Sequence, residues 1–400
     1  MSAVWLHIIG IGEDGLDGLS PKACSLVNGA EVIIGGDRHH ALAENTAAQR
    51  IAWPSPFDAM IDVIRAQKGK RVVVLVTGDP LWYSVGARIL KSINREEIQF
   101  HPQLSAFQWA AARMGWSLAD VETLTVHGRA VEQIVPCFAP RSRLLVLTKD
   151  RTSVTDIAAL LRARGYARSS LTALAALGGP DEQRIDMTAM TAHEEVPDFH
   201  TLAVECVASA DAQILSRTGL PDDAFVHDGK MTKRTARALA LAKLVPLRGQ
   251  LLWDIGCGCG SITIEWMRGA PEAKAIGFEP KADRRAMATQ NAMTLGTPKI
   301  QLIDGTAPAC LAGQPAPDAV FIGGGLEMET VDIAVNALKP FGRLVAHAVT
   351  LESEAVLLAA FDEHGGELQR IAVETAAPVG PFHGWKPSMP VTQWFWEKRP

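Results

Sequence analysis

The 400-residue chain has few cysteines, no long apolar run and no excess of positive charge, and each absence narrows what it can be. Its six cysteines, at 24, 137, 206, 257, 259 and 310, form no Cys-x-x-Cys pair and no disulfide-scaffold density, so reduced thiols and a cytoplasmic location are expected. No stretch approaches the roughly 20 apolar residues of a membrane-spanning helix. The opening MSAVWLHIIGIGEDG lacks the basic start and small-residue cleavage site of a signal peptide. A formal net charge of -5 argues against broad contact with nucleic acid or anionic membrane. No internal repeat is evident, which excludes a solenoid.

What is present is an ordinary globular composition, 48% hydrophobic and 21% charged, in a chain long enough for two domains. Apolar runs alternate with amphipathic stretches along the whole length, which indicates an α/β fold. In the first half VWLHIIGIG, EVIIGG, RVVVLVTG, RLLVLT and TLAVECVA read as strands, and SPKACSLVNGA as a helix with proline in its first turn. The polar, turn-rich SADAQILSRTGLPDDAF marks a boundary, giving a first domain over 1–210, a linker over 211–222 and a second domain over 223–400. There LLWDIG, AKAIGFE, KIQLI, DAVFIGG and GRLVAHAV read as strands of a doubly wound parallel sheet. ELQRIAVE and VTQWFWEK are joined by PVGPFHGWKPSMP, too rich in Pro and Gly for a crossover helix, so they are expected to pair antiparallel at the sheet edge.

The most informative stretch is LLWDIGCGCGSITIE, residues 251–265. A strand ends at Asp254, and Gly256, Gly258 and Gly260 follow at alternate positions before a helix. Glycines suit a backbone that must turn sharply and approach a ligand, with the free N–H groups of the helix start facing the same place. A dinucleotide fold would want GxGxxG. The DxGxGxG order here resembles class I S-adenosylmethionine methyltransferases. That resemblance implies cofactor contacts from Asp254, Gly256, Gly258 and Gly260, from Glu279 at the next strand end, where it accepts from the ribose hydroxyls, and from Gly305, Thr306 and Ala307 near the adenine. Gly323 and Gly324, in DAVFIGGG, fall where the methyl group would meet its acceptor. Cys257 and Cys259 are only two ligands with no companion pair, so no metal is expected.

The first half has no such motif. Gly10 and Gly12 in GIGEDG, and Gly78, Asp79 and Pro80 in VTGDPLWYS, leave loop backbone exposed at strand carboxyl ends, where open parallel sheets bind ligands. This supports a second pocket without naming its occupant. Asp79 is read as cofactor-facing, ahead of the alternative that it caps the following turn. Together GIGEDGLDGLSPKA, GGDRHH, VTGDPLWYS, HPQLSAFQWAAARMGW, TVHGR and LGGPDEQRI resemble a tetrapyrrole (corrin/porphyrin) methylase domain, the class III methyltransferase fold of two α/β subdomains. The chain departs from the pattern in GIGE for GIGP, in the two cysteines between the later glycines, and in Ala307–Leu311, which lacks an acidic residue.

The tandem resembles a bifunctional family of cobalamin biosynthesis. It implies S-adenosylmethionine-dependent C-methylation of a precorrin at carbons 5 and 15 with decarboxylation of the ring C acetate, the last two steps falling to the C-terminal domain. It further implies one cofactor site per domain, a homo-oligomer, and neither nucleic acid nor membrane as partner. A substrate with several carboxylates calls for local cations, and Thr232, Lys233 and Arg234, with Lys230 and Arg237, are candidates. A solvated helix face is the equal alternative. Arg38 and one of His39 and His40 are candidates in the first half, while His193 and His200 lack HExxH spacing. His383 and Trp385 either cover the C-terminal pocket or sit in a plain hairpin loop. No general acid or base is legible. The competing class, an RNA or protein methyltransferase with a non-catalytic N-terminal domain, is disfavoured by the acidic balance and the lack of an Asn/Asp-Pro-Pro-Tyr motif.

Overall fold

A computed structural model describes residues 4–44 and 46–399. The chain forms two compact units, Met1–Val131 with Cys137–Gln213, and Ile214–Pro400 with Glu132–Pro136.

The first unit holds two five-stranded sheets. In one, β1 (Leu6–Ile11), β2 (Val32–Gly35), β3 (Gln49–Ala52), β4 (Val72–Thr77) and β5 (Ile98–His101) run parallel in the order β3-β2-β4-β1-β5. β4, VVVLVT, is buried on both faces, as its unbroken apolar run requires of a strand covered by helices on both sides. Helix Pro21–Asn28 begins with proline at its first turn, where a missing N–H costs nothing, and the Ser20 hydroxyl caps it by accepting from Ala23 N–H. The other sheet is mixed: β6 (Glu122–Thr125), β7 (Arg143–Leu147), β8 (Ser170–Ala175), β9 (Gln183–Thr188) and β10 (His200–Glu205), ordered β6-β7-β10-β8-β9.

The second unit is a seven-stranded sheet, ordered β13-β12-β11-β14-β15-β19-β16. β11 (Leu251–Ile255), β12 (Lys274–Phe278), β13 (Gln301–Ile303), β14 (Ala319–Ile322) and β15 (Arg343–Ala348) are parallel. The expected antiparallel pair is present as β16 (Glu367–Ile371) and β19 (Val391–Glu397), with the later strand inserted between β15 and β16. Burial of Trp394, whose indole N–H donates to Gly365 C=O at 2.8 Å, accounts for that inner position. The Pro- and Gly-rich connection folds into a ribbon of its own, β17 (Glu374–Val379) with β18 (Phe382–Pro387).

Stretch 211–222, expected as a linker, carries its second half into this unit. Leu220 is buried, and its N–H donates to Glu265 at 3.0 Å. Glu265 also accepts from Arg237 Nε at 2.6 Å, with both side chains 0% exposed. Arg237 further donates to Asp222 and to the Thr232 and Leu220 carbonyls. Removing either partner of so closed a pair strands a buried charge and costs about 3–5 kcal/mol. Among the described residues no helix is long and apolar enough to cross a membrane.

Candidate cofactor and substrate sites

Each parallel sheet has a point where chain direction reverses. The connection after β11 leads to β12 on one side, and that after β14 leads to β15 on the other, so their loops diverge and open a crevice at the strands' carboxyl ends. A cavity of about 790 Å³ lies there. In the first unit β1 leads past β4 to β2, and β4 leads past β1 to β5. A second cavity, of about 830 Å³, is lined from this crevice and from the mixed sheet.

In the second unit the turn after β11 is built by close approach. Gly256 has φ +73°, and a Cβ there would lie 2.7 Å from Gly324 Cα. No side chain fits between the two loops. Beside this turn, Asp254 Oδ2 accepts from Thr263 N–H at 3.1 Å and from its hydroxyl at 2.5 Å. Its other oxygen, Oδ1, is buried without a partner among the described residues. Burial pushes this carboxyl up to about 7. Glu279, 3% exposed, accepts from Gly258 N–H and from Lys281 N–H, each at 3.0 Å, and Arg284 stands 3.9 Å from it. A bare turn, an unsatisfied buried acceptor and a second carboxylate suit a ligand bearing an ammonium and vicinal hydroxyls. Burial pushes the Cys259 thiol to about 11 and that of Cys257 well above its ordinary value, so neither offers a thiolate near neutrality.

Of the residues read from the sequence, Asp254, Gly256, Gly258, Glu279, Gly305, Thr306, Ala307, Thr232, Lys233, Gly323 and Gly324 all line this one cavity. Gly260 does not; it sits at the helix start against Ala288. Arg234 does not either, and donates to Gly219 C=O. Arg237, a candidate for gripping carboxylates, is turned into the core against Glu265, a correction forced by its complete burial. His383 and Trp385 lie on the β17–β18 ribbon outside the lining, with Trp385 exposed. Lys281, Arg284 and His347 line the cavity and were not singled out from the sequence. His347 was hidden because a lone histidine in GRLVAHAV carries no spacing signal.

In the first unit Gly12 and Gly78 line the cavity, whereas Gly10, Asp79 and Pro80 do not. Gly10 acts beneath the surface, where a Cβ would overlap the Gly78 carbonyl. Asp79 Oδ1 accepts from Leu81 N–H at 2.7 Å, the turn-capping contact given above as the alternative. Adjacent histidines diverge as expected. His39 lines the cavity and meets Thr77 Oγ1 at 3.0 Å, and burial, with Arg38 and His40 adding to it, lowers the imidazole to about 4. His40 meets Ile51 C=O at 3.2 Å. Arg38 pairs with Glu13 and lies over the Phe199 ring, so it is already engaged within the protein. His127 with Arg129, Lys149 and His200 also line this cavity, drawn from three separate segments that no single local motif joins.

Residues 223–398 match the family of precorrin methyltransferase domains, and residues 5–192 that of tetrapyrrole (corrin/porphyrin) methylases. A protein of Sinorhizobium sp named precorrin-6Y C(5,15)-methyltransferase (decarboxylating) is 44% identical, with 98% of this chain and 96% of that protein covered. Two shorter relatives each cover less than half of the chain. Cobalt-precorrin-7 C(5)-methyltransferase of Salmonella typhimurium is 31% identical over 40% of this chain and 79% of its own. A probable cobalt-precorrin-6B C(15)-methyltransferase (decarboxylating) of Pyrobaculum calidifontis is 35% identical over 37% of this chain and 78% of its own.

Proposed function

Because the chain belongs to the family of decarboxylating precorrin-6Y C(5,15)-methyltransferases, we propose that it methylates a precorrin at carbons 5 and 15 and removes carbon dioxide from the ring C acetate. Methyltransferase families of this kind use S-adenosylmethionine, which supplies an already electrophilic sulfonium methyl. The protein's task is to hold donor and acceptor in line and to exclude water. The observation that carries the reading is the pair of cavities, one at the reversal point of each parallel sheet. One methyl donor is assigned to each. In the second unit Glu279 takes the ribose hydroxyls, Asp254 the end bearing the ammonium, and Gly256 with Gly324 leaves room for the sulfonium. Lys233 and Lys230 meet substrate carboxylates. In the first unit the bare backbone at Gly12 and Gly78 receives the second donor.

Carbon 15 methylation and decarboxylation belong to the second unit, and carbon 5 methylation to the first. Single-activity relatives that each span under half of the chain support such a division. No metal, nucleic acid or membrane takes part, and the chain works as a homo-oligomer in the cytoplasm. The test is to supply a precorrin and isotope-labelled methyl donor. Two labelled methyls gained and one carbon dioxide lost are expected, and label passing to RNA or protein instead overturns the reading.

The buried carboxyl gives this site a pH dependence of known sign. Without ligand, Asp254 is held protonated up to about 7, so a bound ammonium must displace a proton at lower pH. Affinity at the second unit is therefore expected to climb as pH rises from 6 to 7, by up to about tenfold per pH unit, and then to level off. Calorimetry in buffers of different ionisation enthalpy would register the released proton. The Asp254→Asn variant should bind more weakly with a flat profile, and a flat profile in the unaltered protein contradicts this role.

A further inference from the structure

The cavity of the second unit is chemically lopsided. Along the sheet edge, β12 and β11 contribute Glu279, Lys281 and Asp254, with Arg284 close by. At the other end, β15, β19 and β16 bring Val349, Ile371, Val373, Met389 and Val391 to the same edge, since Ile371 pairs with Val391 and His347 with Gln393. Among the described lining residues this end has no lysine, arginine or carboxylate; its polar side chains are Ser388 and His347.

His347 is held so as to stay uncharged. Its Nε2–H donates to Gln393 Oε1 at 2.9 Å, and Gln393 is itself 2% exposed. The ring packs edge-on against Phe321, centroids 5.0 Å apart. Burial lowers the imidazole to about 4, so near neutrality Nδ1 carries a lone pair and no proton. Nδ1 has no hydrogen-bond partner among the described residues.

With the donor held over β11 and β14, the cavity continues along the edge formed by β15, β19 and β16. We propose that this apolar end is the decarboxylation subsite, where the substrate's acetate is left without a counter-cation, and that His347 contacts the ring there without neutralising the acetate. The inference rests on the function proposed above. Its physical basis is a difference in charge dispersal. A carboxylate paired with lysine or arginine is stabilised as it stands, whereas in the step that releases carbon dioxide the charge spreads into the ring. Apolar walls disfavour the first state more than the second.

The chemistry balances with nothing else added. Methyl transfer to carbon 15 leaves the conjugated ring one positive charge. The bond between the acetate methylene and its carboxyl carbon then breaks, its electron pair enters the ring and cancels that charge, and carbon dioxide departs. The exocyclic methylene takes up a proton as carbon 15 gives one up, leaving a methyl group with no net change in protons. The cations elsewhere in the cavity hold carboxylates that must survive, and the apolar end receives the one that must leave.

The test places a cation where the structure has none. Val373 is half-buried and Met389 is 66% exposed, so Val373→Lys and Met389→Lys are both compatible with folding. Carbon dioxide released per methyl transferred to carbon 15 is the readout, together with the affinity for the precorrin. Both lysine variants are expected to bind the precorrin more tightly, to lower that ratio at least tenfold and to accumulate a methylated tetrapyrrole that retains its acetate. An unchanged ratio in both lysine variants overturns the subsite. If the unaltered protein transfers no methyl to a precorrin at all, the proposed function fails instead.

Discussion

Gly256→Ala is expected to abolish methylation at carbon 15 and carbon dioxide release together, while methylation at carbon 5 continues in the first unit. The physical reason lies in two costs that add. A left-handed φ of +73° is unfavourable for alanine by about 1–2 kcal/mol. The new Cβ would also stand 2.7 Å from Gly324 Cα, and backbone on both sides of the crevice cannot move away as a flexible side chain would. Together these exceed about 3 kcal/mol, a loss in donor affinity of more than a hundredfold. Mass analysis of the product should find one methyl and an intact acetate. A product that has lost carbon dioxide at the normal rate would remove the second unit's turn from the account.

The complementary variant, Gly10→Ala, is expected to have the opposite selectivity. Gly10 lies in β1 beside β4, and its Cβ would overlap the Gly78 carbonyl oxygen, forcing apart the two loops that bound the first unit's crevice. Here φ is not the obstacle; the obstacle is contact between two main chains. Donor affinity in the first unit should fall by about a hundredfold or more. Carbon 15 methylation and decarboxylation should proceed in the second unit, so the product lacks only the methyl at carbon 5. Retention of that methyl at an unchanged rate would show that this crevice does not serve the reaction.

The two variants also mark what could and could not be read in advance. Alternate glycines after LLWDIG, with Glu279 closing the next strand, encode the second unit's turn within about thirty residues, and local sequence records local constraints well. Which face of a helix turns inward is a different matter. Arg237 stands in a basic run that suits substrate carboxylates, yet Glu265, 28 residues away, draws it into the core. Nothing near Arg237 announces that partner. Asp79 shows the same limit at shorter range, since an Asx turn and a ligand contact ask for the same residue type. The late strands were legible as elements but not in their order, because insertion of β19 next to β15 depends on where Trp394 finds a pocket. The PVGPFHGWKPSMP ribbon was missed because proline and glycine hide strand propensity at an edge. His347 became visible only once β15, β19 and β16 were side by side.

The most direct measurement counts methyl-donor sites on the full chain by titration calorimetry, in the unaltered protein and in each glycine variant. Two sites per chain are expected, falling to one in Gly256→Ala and to one in Gly10→Ala, with the surviving site different in the two cases. A single site in the unaltered protein, or two undiminished sites in either variant, would contradict the assignment of one cofactor crevice to each unit.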